Sequence, residues 1–549
     1  MTLKSGSISF TASLSYTGVV VAVLFFAISL SPSLVPRPFL LQGTLSGVLL
    51  ALGYCIGFLI AQLWLYLQLP ILKKNNLTLS RIVVGSLSAF LFCYAIYFST
   101  NWQNELRNQM GLPEAALSSH LTMTMVALGL AFLLLLCVRF LNKLVIYLKL
   151  RFKKVIPQRI AHTLSILLLA SVIFFLTNNL LVSKFVSVLD DTYQLLDENI
   201  ESDLSPPVNM LATGSSASLI KWQTLGRTGQ DFISEGPTQA QLSDYFKEAV
   251  KHPIRVYAGL RSTETVEQRA ELALQELIRV DAFKRSKLVI ATPTGTGWLD
   301  PSAVDTFEYL HKGDTAIVAM QYSYLPSWLT LLVDPSAARV TATTLYNKVH
   351  HYWSKLPEDS RPDLYLFGLS LGAFGAETSI NLTTVIKNPI QGALFVGTPF
   401  TSVLSPLLTR YRNPDSPQWL PVIQDSSMVR YTGQKNSLEN PEWKWGPMRF
   451  VYIQYASDPI VFFSTDLYRR EPDWMKGERG HDVSSEFRWF PVVTFFQVLF
   501  DLPMAEKVPR GNAHNYSASS YINGWISVTD PENWDKDDVE NLKLQFNGR

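Results

Sequence analysis

The sequence predicts two unlike parts, an α-helical membrane region followed by an α/β domain built on a mostly parallel sheet. Two observations point to the first part. Apolar stretches of about 20 residues, the length that crosses a bilayer, are confined to the first third of the 549 residues, and the chain is 48% hydrophobic with only 17% charged residues. A third points to the second part: from Ile254 onward short β-branched runs alternate with helical patterns, the signature of strands covered on both faces by helices. Such a chain is too long for one ordinary domain and too apolar to be wholly soluble. With a formal charge of +2 no basic block dominates, so no nucleic-acid partner is expected.

Five segments are expected to cross: Thr17 to Val35, Leu45 to Leu65, Ile82 to Phe98, Leu121 to Val138 and Ile160 to Leu181, none charged near its centre. Lys4 precedes the first, as in a signal peptide, but the cleavage pattern is indistinct and the stretch is long, which favours an uncleaved helix. Lys and Arg resist translocation and mark the cytoplasmic side. Lys73, Lys74 and Arg81 lie between the second and third segments, and Arg139, Lys143, Lys149, Arg151, Lys153, Lys154 and Arg159 between the fourth and fifth. The alternate loops carry essentially Arg37 and Arg107. Five crossings then put everything after about Lys184 outside the cytoplasm, on a cytoplasmic-membrane protein. Cys55, Cys93 and Cys137 all fall inside apolar segments, so no disulfide framework is implied.

A short polar helix is expected from Asp190 to Glu201, then the Ser/Pro-rich stretch "SDLSPPVNMLATGSSAS" reads as a linker. This divides the chain into residues 1–186, a linker 187–216 and an α/β domain 217–549. Strands are expected at Ile254 to Ala258, Leu288 to Ala291, Thr315 to Gln321, Asp363 to Phe367, Gly392 to Val396 and Arg449 to Tyr455. Helices are expected near Glu264 to Arg279, Ser302 to Leu310, Ala337 to Leu356, Leu371 to Val385 and Ser402 to Tyr411. Ligands on such sheets bind beyond the carboxyl ends of the strands.

At one of those ends stands "FGLSLGAFGA", where Gly368, Ser370 and Gly372 fit G-x-S-x-G. An apolar strand enters, small residues leave, and the glycines relieve crowding around a nucleophile held in a strained turn. A serine hydroxyl needs a base, and the base needs an orienting acid, here in the chain order Ser, Asp or Glu, His. Asp458 follows the strand of "VYIQYASDPIVFF", and only His481 and His514 come later. His514, in the glycine-containing loop "PRGNAHNYSA", suits a base delivered from a late loop better than His481 beside Asp482. Developing negative charge on an attacked carbonyl needs donors, expected from the amide of Leu371 and from the loop "TPTGTGW", where Thr294 and Gly295 are candidates. That loop lacks the G-K-[ST] ending of a P-loop. No H-E-x-x-H or Cys pair suggests a metal, and no cofactor is expected.

Taken together, "GLSLGAFGAE", "TPTGTGWLDP", "ASDPIVFF" and "GNAHNY", preceded by a multi-helix membrane segment, resemble the bacterial membrane-anchored α/β-hydrolase family. The resemblance implies an α/β-hydrolase fold with Ser370, Asp458 and His514 as a catalytic triad. The family often has glycine directly before that histidine, where this chain has Ala513. A serine esterase or lipase acting on an acyl ester at the outer membrane face is the expected activity. An acyltransferase to a glycan or lipid alcohol is the nearest alternative, and a transport or binding protein the alternative from another class. Two aromatic segments, residues 321–335 and 487–503, are candidates to line an acyl pocket or touch the membrane. The second reads first as a core helix covering the sheet, being too short to span and containing Arg488.

Overall fold

The computed structural model describes residues 15–70, 74–115, 118–176, 183–198 and 204–547. Lys4, Lys73, the end of the fifth apolar segment (177–181), the end of the polar helix (199–201) and the start of the linker stretch lie outside the described residues. The chain forms two compact units. One comprises Met1–Leu180 with Thr465–Met475 and Val483–Met504; the other comprises Leu181–Ser464, Lys476–Asp482 and Ala505–Arg549.

The helical unit contains α1 (Tyr16–Ser29), α2 (Phe39–Tyr66), α3 (Lys74–Gln109), α4 (Ser118–Phe152) and α5 (Gln158–Phe175). Among the described residues four helices, α2 to α5, are long and apolar enough to cross a membrane. The first of the five expected crossings is therefore corrected. It ends at Ser29 because the following "SPSLVPRP" holds three prolines that cannot donate to a helix. At about 1.5 Å per residue its 14 residues reach about 21 Å, short of the hydrocarbon core of about 30 Å.

Small residues bring these helices together, as they do wherever lipid offers no hydrophobic drive between helices. On α2, Cβ atoms at Gly43 and Gly47 would each lie 2.8 Å from a carbonyl of α4, Met123 and Ala127. Cβ atoms at Gly53 and Gly57 would lie 2.8 and 2.5 Å from the α1 carbonyls of Val21 and Thr17. Thus α2 carries two G-x-x-x-G stripes, one for each neighbour.

The helix Val493–Asp501 also belongs to this unit, which corrects its expected place over the sheet. Its Val493 is buried with Leu45 and Leu49 of α2, against Phe25 and Ile28 of α1. Asp501 decides the location, because a buried carboxylate is tolerable only when paired and hydrogen-bonded. It accepts from Arg37 Nη1 at 2.5 Å, Ser33 Oγ at 3.1 Å and the Leu34 amide at 3.1 Å.

Among its described residues the second unit is built on seven parallel strands: β1 (Ile254–Ala258), β2 (Lys287–Thr292), β3 (Thr315–Met320), β4 (Asp363–Leu369), β5 (Gly392–Val396), β6 (Val429–Thr432) and β7 (Arg449–Ile453). Their order is β1-β3-β2-β4-β5-β7-β6, with β4 between β2 and β5 at the centre. Six strands stand where the sequence puts them. The four-residue edge strand β6 is too short to leave an alternating pattern. Burial on both faces explains the continuous apolar runs: Val256, Ile290, Val318, Phe367 and Phe395 are all buried, under a layer that includes Trp353 and Trp525. Each such side chain contributes about 1.5–3 kcal/mol of transfer free energy.

Two further differences have local causes. The expected helix from Leu371 to Val385 is divided into Leu371–Ser379 and Leu382–Lys387, because Ile380 turns extended at ψ 107°. The Ser/Pro-rich stretch is fastened down, not free: Thr213 Oγ1 donates to the Arg255 carbonyl, and Ser218 Oγ to buried Glu276 at 2.6 Å. Inside the sheet unit Arg255 donates to Glu308 and Asp305 at 2.6–2.8 Å. Burial pushes the Glu308 carboxyl up to about 7 despite that cation.

Candidate active site

Ser370 is the single residue between the end of β4 and the helix Leu371–Ser379, with φ 58° and ψ −128°. A non-glycine residue with positive φ is strained, and such strain persists only where the surroundings enforce it. Here the enforcement is contact. A Cβ on Gly368 would stand 2.4 Å from the Gly372 carbonyl oxygen, and one on Gly372 would stand 2.2 Å from that of Thr292. The turn therefore closes only with glycine at both places. The Ser370 amide is held by the Val396 carbonyl at 2.9 Å, tying the turn to the end of β5. The amides of Leu371 and Gly372 open the following helix and have no partner within it.

Asp458 lies beyond β7 as N-cap of a short helix, Pro459–Phe462, where its Oδ1 accepts from the Ile460 amide at 2.8 Å. Its other oxygen faces His514 Nδ1 at 2.6 Å, the geometry of an Nδ1–H donating to a carboxylate. The Tyr516 hydroxyl donates to the same oxygen at 2.6 Å. His514 stands against the end of β5: Gly397 has φ 56°, and a Cβ there would lie 2.4 Å from His514 Cε1. Ser370 and His514 are thus brought to one strand end, β5, by Val396 and Gly397. Among the described residues His514 Nε2 has no hydrogen-bond partner, which leaves it able to take a proton.

Burial is the largest influence on the His514 imidazole and pulls its pKa down. The Asp458 charge and hydrogen bond overcome it, so His514 stands above its ordinary value of 6.5. Ser370 and His514 are only 1% and 2% exposed, so chemistry between them would run shielded from bulk water. His481 is exposed, while its neighbour Asp482 binds the Ser457 hydroxyl at 2.7 Å. Ser457 in turn accepts from the Ala513 amide at 3.0 Å. Ala513 has φ 46°, the left-handed conformation that favours glycine at this place.

The Thr294 amide donates to the Trp298 carbonyl at 2.9 Å and the Gly295 amide to Ser327 Oγ at 2.8 Å. Both are engaged within their own surroundings in this state. Of the two aromatic segments, residues 321–335 reach the elbow, where Tyr322 and Leu331 are buried with Leu371 and Phe374. Glu377, on the elbow helix, accepts from the Ser405 amide and the Tyr452 hydroxyl, and burial pushes it up to about 7. It braces the helix against its neighbours. Neither the bond from Tyr516 to Asp458 nor that from Asp482 to Ser457 is legible in the sequence; the trace of the former is an aromatic residue two places after the histidine.

Fold and site together define an α/β-hydrolase fold fused to a helical region long and apolar enough to span a membrane. The chain belongs to the Alpha/beta-hydrolase family whose pattern it matches over residues 254–542, and residues 30–237 match the N-terminal region of that family. No curated protein and no solved structure gives a match.

Proposed function

We propose that the protein is a membrane-bound serine hydrolase of esterase or lipase type, with Ser370 as nucleophile, His514 as general base and Asp458 as its orienting acid. The observation that carries this reading is the pairing of His514 Nδ1 with Asp458 at 2.6 Å, at the same strand end, β5, to which the strained Ser370 is tied through Val396. Ser370 Oγ adds to an ester carbonyl while His514 Nε2 takes its proton. The tetrahedral oxyanion is held by the Leu371 amide at the helix N-terminus; Thr294 or Gly295 joins it once its bond to Trp298 or Ser327 opens. Collapse breaks the ester C–O bond, the imidazolium gives its proton to the leaving alcohol, and an acyl-Ser370 remains. Water, activated by His514, then releases the carboxylic acid and frees the serine.

The outer face of the cytoplasmic membrane is the proposed location, with residues 217–549, apart from the segments Thr465–Met475 and Val483–Met504 that belong to the helical unit, forming the extracytoplasmic catalytic domain. Support comes from α5, which starts beside Lys153, Lys154 and Arg159 and so leaves from the basic end of the bundle. The burial of Ser370 favours one second reading, acyl transfer to an alcohol, which requires an acyl-enzyme kept from water.

Labelling the full-length protein in membranes with a fluorophosphonate tests the nucleophile. Label on wild type and none on Ser370→Ala is expected; equal labelling of both, or of neither, would overturn the reading. Product analysis with and without an added long-chain alcohol separates hydrolysis from transfer.

A further inference from the structure

Where α2 begins, α3 ends and α4 begins, the helical unit encloses a cavity of about 220 Å³ whose lining includes Arg37, Phe39, Gln103, Arg107, Glu114 and His120. Part of its polar wall is unsatisfied. Gln103 is 8% exposed, yet neither its side-chain nitrogen nor its oxygen has a hydrogen-bond partner among the described residues. Arg37 Nη2 also has none, although the side chain is fully buried. Buried polar groups are nearly always paired, so unpaired donors lining a cavity mark a place for a polar ligand.

Charge narrows the chemistry. Asp501 already offsets Arg37, and Arg107 is anchored through Nε to the Pro113 carbonyl at 2.6 Å. The remaining guanidinium donors and the Gln103 amide suit phosphate oxygens. Glu114, exposed at the rim, is the opposite charge and suits a cation beside that phosphate. Size and surroundings narrow it further. The volume is below the about 300–1,000 Å³ of pockets that enclose a drug-sized molecule, so it fits a headgroup and not its chains. Phe39, which lines the cavity, and its neighbour Leu40 at the start of α2 are 39% and 56% exposed and offer an apolar surface for chains.

We propose that this cavity binds the phosphoethanolamine headgroup of a membrane phospholipid, its phosphate on Arg37, Gln103 and Arg107, its ammonium on Glu114 and its acyl chains along Phe39 and Leu40. The site does not depend on the reading of Ser370, and binding to Ser370→Ala protein tests it without turnover.

Full-length Ser370→Ala protein in detergent micelles is titrated with dioleoylphosphatidylethanolamine, dioleoylphosphatidylglycerol, dioleoylglycerol and free O-phosphoethanolamine, and bound lipid is read by native mass spectrometry. The ethanolamine lipid should bind about tenfold more tightly than the other three: the glycerol phospholipid lacks the ammonium and dioleoylglycerol the whole phosphoethanolamine, and a site built for polar contacts rejects analogues that lack them, while free O-phosphoethanolamine lacks the chains that bury apolar surface. Gln103→Leu should weaken it about tenfold, and Glu114→Gln should erase its preference over the glycerol lipid. Equal affinity for both phospholipids in the parent protein would overturn the proposal. So would free O-phosphoethanolamine matching the lipid, which would make the ligand a soluble one. Unchanged binding in a folded Gln103→Leu variant would leave a water-filled cavity only. Glu114 is exposed, so its variant keeps the test open should Gln103→Leu fail to fold.

Discussion

Asp458 in the sheet unit and Asp501 in the helical unit are both fully buried, and each accepts three hydrogen bonds. They differ in the partner that carries positive charge. Asp501 faces an arginine, which never releases its proton in a protein, so the pair is a fixed strut between the loop after α1 and the helix Val493–Asp501. Asp458 faces a histidine whose second nitrogen has no hydrogen-bond partner among the described residues, so its pair can change protonation during a reaction. Similar burial and similar donor counts thus serve stability in one unit and, on the proposed reading, catalysis in the other.

Substitutions should separate the two carboxylates. The largest loss is expected for Ser370→Ala, about 10⁶-fold in kcat, measured on a soluble nitrophenyl ester with folding checked by thermal melting. Asp458→Asn should follow, at about 10⁴-fold in kcat with the fold retained, because the histidine then takes the wrong tautomer. Asp501→Ala should invert that pattern: a loss of about 3–5 kcal/mol of stability in detergent, from an uncompensated Arg37, with catalytic pH dependence unchanged in what remains folded. If Asp501→Ala moved the pH profile, the proposed division of labour would fail.

Smaller effects sharpen the contrast on one side. Tyr516→Phe removes one donor from Asp458, should lower kcat about tenfold, and should raise the His514 pKa by leaving more charge on the carboxylate. The acidic limb of kcat/KM should have its midpoint above 6.5, since His514 must be neutral to act as base and its pKa is raised. The same shift has a linked effect on stability. Pairing of protonated His514 stabilises the fold fully below its unfolded pKa, and that contribution is lost as pH rises through the higher folded value.

What the sequence could reveal followed the range of the interactions involved. Six strands were readable because burial on both faces writes apolar runs into neighbouring residues. The turn at Ser370 was readable because close backbone approach demands glycine at Gly368 and Gly372. His514 and Asp458 were found by chain order, 56 residues apart, though nothing local measured their contact. The destination of the helix Val493–Asp501 was invisible because it depends on Arg37, 464 residues away. The engagement of the Thr294 and Gly295 amides was equally hidden, since a glycine-containing loop does not announce which acceptor each amide finds.

The distance between Arg37 and Asp501 also sets an order of assembly. At about 5–20 residues per second, the 464 residues that follow Arg37 up to and including Asp501 take roughly 20–90 s to make. Throughout that time the helices emerging first hold a guanidinium without its counter-ion. The helical unit therefore matures late, when most of the sheet unit has already been synthesised. A ribosome that stops before Asp501 leaves behind a membrane fragment that is incomplete and carries a charge with nothing to answer it.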